Sequence, residues 1–225
     1  MPADHRSVVY LPAITAIVAA VFAIVVLRQY ASHHRTYQLM WATGFTMFAI
    51  AAFAGYLARN GGPTGAGYSD WYRVFYLFGA ILNVAWLSLG TLYLLAKRRW
   101  ADVALVLVAL LSVVAAYAVV SAPVDVTAAA DSGRGFPNGS LARVLAGVGS
   151  GVGSVVLIGG ALWSAWIFLR KRHNGRRAIA NVVIAAGVLI VAAGGTATFT
   201  GASGVLEAAN LVGLAVMFGG FLLIG

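Results

Sequence analysis

Apolar residues run in seven long stretches along this 225-residue chain, separated by short polar breaks. They cover Val8–Leu27, Leu39–Leu57, Val74–Leu95, Val103–Val120, Val144–Leu169, Ile179–Ala197 and Val205–Ile224. Each is long enough to cross a bilayer as a helix, which takes about 20 mainly apolar residues. A helix satisfies its own backbone N–H and C=O groups, as lipid demands. The pattern predicts an all-α fold: one integral membrane seven-helix bundle filling residues 1–225, with no room for a separate soluble domain.

Composition agrees, with 61% hydrophobic and 9% charged residues. A soluble domain carries roughly 25% charged residues to cover its surface. The net charge of +9 would suggest nucleic acid in a soluble protein, but its placement argues otherwise. Ten of the fifteen basic residues fall in the breaks after spans one, three and five. Short basic loops stay in the cytoplasm, so the N-terminus is expected outside and the C-terminus inside. The expected location is the bacterial cytoplasmic membrane, the bacterial origin being suggested by thirteen arginines against two lysines among abundant Ala, Gly and Val. The lipid bilayer is the expected partner, and nucleic acid is not. The sequence stops just after the last span, so either an output domain is lacking or the sequence is cut short there.

Two connections are longer than the rest, Arg59–Arg73 and Ser121–Ser140, both rich in Gly and Pro. That chemistry favours turns; the second is long enough to lie over the mouth of the bundle, but reads first as a solvated tether. Span five carries Gly147, Gly149, Gly151 and Gly153, two interleaved pairs four residues apart. Small residues at that spacing let helices approach closely in lipid, either inside the bundle or across a homo-oligomer seam. Pro12 is expected in a first helical turn, where proline is tolerated.

Several chemistries are missing. There is no cysteine, which excludes thiolate metal sites and cysteine nucleophiles. All four histidines lie in breaks or at the terminus, which argues against a bis-histidine haem within the bundle. Both lysines lie at span ends, so a retinal Schiff base has no lysine inside the bundle. No cofactor or metal site is expected, and no catalytic constellation is visible.

Polar residues within or beside the spans remain. An ionisable residue inside a membrane span is a site hypothesis by default. Glu207 qualifies, with Asn210 three residues on and on the same helix face. Asn83 stands near the middle of span three. Arg59, Arg73 and Arg143 stand at span ends on the same side as Glu207. One reading is an outward polar pocket with Glu207 and Asn210 on its wall and Arg73 or Arg143 as counter-charge. The other is an interfacial carboxylate favoured by the positive end of its own helix. Asn83 and Asn181 read as hydrogen-bond glue, worth about 0.6 kcal/mol each.

The stretch Arg35-Thr-Tyr-Gln-Leu-Met-Trp41, then Tyr72-Arg73, then Trp86-Leu-Ser-Leu-Gly-Thr-Leu-Tyr93, resembles a bacterial seven-helix membrane region. That region is found N-terminally in some sensor histidine kinases and in stand-alone relatives. The resemblance covers spans two and three, and it implies a sensory role. It carries no functional residues over. The reading from sequence is a non-enzymatic sensory or accessory membrane module acting through partner proteins. The alternative is a small-solute transporter using the outward polar cluster.

Overall fold

The computed structural model describes residues 5–170, 175–200 and 205–223. Among these residues there are helices and turns and no strand. Seven helices are long and apolar enough to cross a membrane, as the hydropathy pattern requires. The protein is a polytopic membrane protein by that measure. Span one is α1 (His5–His33) and span two is α2 (Thr36–Gly61). Span three comprises α3 (Tyr68–Phe75), a π-helical segment Tyr76–Leu82, and α4 (Asn83–Leu95). Span four is α5 (Arg98–Ser121), and α6 (Val126–Ser132) lies in the connection that follows. Span five comprises α7 (Leu141–Ala146), a second π-helical segment Gly147–Val152, and α8 (Gly153–Arg170). Spans six and seven are α9 (Gly175–Thr200) and α10 (Val205–Leu222).

Two features differ from expectation, and a third cannot be compared in full. The break between spans two and three is only residues 62–67, because helix continues on both sides through the polar ends. Pro12 stands well inside α1, more than a turn past its start. The basic break after span five lies partly outside the described residues, Lys171 and Arg172 included.

The packing order makes a ring. Span one packs on two, two on three, three on five, five on six, six on seven, and seven back on one. Span four stands outside this ring, against spans three and five. Its outward face presents Val106, Leu110, Val113 and Tyr117, all more than half exposed and suited to lipid.

Glycine sets the closest contacts, because lipid supplies no hydrophobic drive between helices and van der Waals approach must do the work. Gly187 and Gly213 put spans six and seven backbone to backbone. A Cβ on either would stand 2.6–2.7 Å from the other's carbonyl oxygen. Span five meets span three in the same way. A Cβ on Gly149 would collide with the Ile81 carbonyl, and one on Gly153 would stand 2.9–3.0 Å from Val84. The Ser150 hydroxyl donates to the Ala80 carbonyl at 2.6 Å across this seam. The two π-helical segments face each other here, so both ladders are locally unwound at one place.

Only half of the glycine pattern is packing, however. Gly147 and Gly151 are exposed, and nothing lies within 4 Å of where their Cβ atoms would stand. Residues two apart on a helix differ by about 200° in direction, so the two pairs cannot share a partner. Gly149→Leu should therefore lower stability in a detergent melting experiment by about 1–3 kcal/mol through overpacking. Gly151→Leu should melt within about 0.5 kcal/mol of wild type. Equal losses at both positions would refute this division of the helix.

Candidate functional site

The six helices of the ring do not fill its centre. They enclose a cavity of about 1050 Å³ lined by spans one, two, three, five, six and seven and by the segment around α6. Ligand cavities typically measure about 300–1,000 Å³, so this one is at the upper end. Its floor is apolar, made of Leu87, Leu157, Val188 and Met217. Leu87, Val188 and Met217 belong to a filled core in which Phe22 stacks on Phe45 at 3.8 Å and Phe218 packs on Phe22 at 4.9 Å. The cavity's polar groups gather at the opposite end, the end that carries α6.

Glu207 lies on this wall and is 5% exposed. Its Oε1 is paired with the Arg59 guanidinium. Arg59 is in the last turn of α2 and Glu207 in the first turn of α10. Each charge thus opposes the partial charge of its own helix end. The Arg59 side chain keeps 39% of its exposure, so the cation stays solvated while the carboxylate does not. Glu207 Oε2 is buried and has no hydrogen-bond partner. The Tyr76 hydroxyl, also on the cavity wall, is buried and unpartnered too.

The counter-charge differs from the one expected. Arg73 points at span four: its Nε donates to the Val119 carbonyl at 3.2 Å and its Nη2 to the Ala122 carbonyl at 3.0 Å. It also reaches Ser69 at 3.0 Å and Asp70 at 3.5 Å. A guanidinium on the last carbonyls of a helix satisfies acceptors the helix cannot. Arg143 donates to the Asn138 side chain. Neither contacts Glu207. Asn210 lines the cavity as well. Asn83 lines it too, and its Oδ1 accepts from the Val84 N–H at 2.7 Å, where the π-helical segment gives way to α4. Asn83 is thus a local cap. Asn181 does link helices, donating to Ser164 at 2.8 Å between spans six and five.

The 121–140 connection is not a loose tether. Phe136 is 2% exposed and sits 4.7 Å from the Tyr76 ring and 5.6 Å from the Tyr72 ring. The Tyr72 hydroxyl donates to the Gly133 carbonyl at 2.8 Å and accepts from the Gly135 N–H at 2.9 Å. Asp125 caps α6 by accepting from the Ala128 N–H at 3.0 Å. The Thr127 hydroxyl, and then that N–H, hold its carboxyl below the usual range. Gly133 ends α6 at φ 69°, a left-handed conformation that glycine adopts without strain. Sequence reasoning missed this plug. Its signal is Tyr68, Tyr72 and Tyr76 at helical four-residue spacing, facing a loop with one large aromatic.

No protein-family model matches the chain, and no curated protein or solved structure is significantly similar to it. The site therefore rests on its own geometry.

Two outcomes follow. Glu207→Gln should destabilise the protein by about 1–3 kcal/mol, less than a fully buried pair because Arg59 is partly solvated. Arg59→Met should restore part of that loss, while Arg73→Met and Arg143→Met should not, as read from a double-mutant cycle of melting curves. Tyr72→Phe removes both hydrogen bonds to the plug and should cost about 1–3 kcal/mol. Proteolytic cleavage within residues 121–140 should rise with it; unchanged cleavage would return the segment to a tether.

Proposed function

We propose that this protein is a non-enzymatic sensory or accessory membrane module that binds a small molecule at the centre of its helix ring and acts through partner proteins. The observation that carries the reading is a large cavity with a buried carboxylate whose second oxygen has no partner. A buried polar atom without a protein partner is costly, so it marks a place where a bound molecule would contribute a hydrogen bond. Binding is favoured over passage because the cavity floor rests on the stacked Phe22 and Phe45 core. Among the described residues no group of three or more His, Asp or Glu side chains could hold a metal ion.

A small-solute transporter is the second reading. The facing π-helical segments of spans three and five support it, since transporters bind substrates where helices are interrupted near mid-membrane. The two readings differ in sidedness. Ser154 lines the cavity, and the chain has no native cysteine. Ser154→Cys in proteoliposomes should react with a small water-soluble thiol reagent from one side only. Reaction from both sides would favour transport, and no reaction from either side would remove the cavity reading.

The orientation belongs to the same proposal, with the α6 end outside the cell and the breaks after spans one, three and five in the cytoplasm. Pro123 and Arg98 are exposed at opposite ends of span four. Pro123→Cys should label with an impermeant maleimide on intact cells and Arg98→Cys should not; the reverse pattern would invert the topology.

A further inference from the structure

The cavity wall between spans five and six is built of glycine. Span five packs on span six through α8, the half remote from α6. In the other half, Gly147 and Gly151 of span five and Gly195 of span six all line the cavity. None has an atom within 4 Å of where its Cβ would stand. Gly147, Gly151 and Thr196 are exposed. Three glycines without neighbours on two adjacent spans, all bordering one cavity, leave a gap in the ring wall at the level of the hydrocarbon. The neighbouring seams are tight: spans six and seven touch backbone to backbone, and so do spans five and three.

The interior is graded along the same axis. Toward α6 the cavity is lined by Glu207 and Tyr76, whose Oε2 and hydroxyl are buried and have no hydrogen-bond partner. Beside them are the Tyr68, Tyr72 and Phe75 rings. Toward mid-membrane the wall is Leu87, Leu157, Val188 and Met217, with Asn83 and Ser154 one turn nearer α6. An ionised carboxylate oxygen only accepts, so its partner must donate.

We infer that the cavity takes an amphiphile dissolved in the bilayer, which enters sideways between spans five and six and places a hydrogen-bond-donating head, an ammonium or a hydroxyl, on Glu207 while its apolar body lies over the mid-membrane floor. This rests on the ligand-binding reading and adds to it the route and the chemistry of the ligand. A carboxylate-headed amphiphile of the same length meets Glu207 as a like charge and is rejected. The Arg59 guanidinium pairs with Glu207 and keeps the carboxylate in place, and Arg134 lines the same cavity.

The test uses the full chain in lipid nanodiscs with three diazirine-bearing probes of equal length: hexadecylamine, hexadecanol and hexadecanoate. Photolysis and peptide mapping locate the attachment sites. The amine and the alcohol should label cavity residues such as Leu157 and Met217, with the acid at least tenfold weaker there. All three should label the lipid-facing Val113 alike. Gly151→Trp, which fills the gap, should reduce cavity labelling severalfold without changing Val113. Glu207→Gln should abolish the preference for the amine over the acid. Equal cavity labelling by all three wild-type probes would overturn the head-group assignment, and labelling that survives Gly151→Trp would overturn the lateral route. If Ser154→Cys reacts with the aqueous reagent but no probe reaches the cavity, this inference fails and the binding reading stands. If Ser154→Cys is also inert, both fail.

Discussion

The closest approach of helices three and five is the contact on which the arrangement depends. Lipid tails are as apolar as leucine, so helices associate in a bilayer only where their surfaces fit. Gly149 and Gly153 give span five a flat strip that lies directly on the backbone of Ile81 and Val84. Both helices are π-helical where they meet, and the Ser150 hydroxyl takes up the Ala80 carbonyl across the seam. π-helical segments are rare and tend to mark functional sites. This seam fixes span five against span three, leaving span four outside and the ring of six to close around empty space.

The same seam decides what the other face of span five does. Gly147 and Gly151 turn inward and sideways, where side chains would otherwise fill the centre. One end of the space is blocked by phenylalanines. The other is covered by α6 and Phe136, held by the Tyr72 hydroxyl. Into this partly dry space the protein puts one carboxylate, and neutralises it from the last turn of span two. The charge is held from both helix ends and only one of its two oxygens is used. Such an arrangement suits a site more than a strut, because a strut would use both.

Much of this was legible from sequence and some was not, for identifiable reasons. Seven spans could be read because the length of an apolar run is a local property. Glu207 stood out because a charge in an apolar run is conspicuous. Its partner did not, because Arg59 is 148 residues away and three arginines at the same end looked equivalent. Arg73 and Arg143 were the expected partners, yet one caps span four and the other holds Asn138. The glycine run was read as one packing strip, although its two pairs point about 200° apart; helical phase alone could have divided it. The 121–140 segment looked like a tether because Gly and Pro dominate it, while a single phenylalanine determines where it goes.

The central claim is that the ring encloses hydrated space along spans five and six. Ala192 lines that space and its neighbour Ala193 is exposed on the outer face. Nitroxide labels at these two positions, in nanodiscs equilibrated with D2O, give the most direct test through deuterium modulation of the electron spin echo. The account predicts strong deuterium modulation at Ala192→Cys and little at Ala193→Cys, where the label meets hydrocarbon. Equally weak modulation at both positions would mean that the ring is packed dry, and would contradict it.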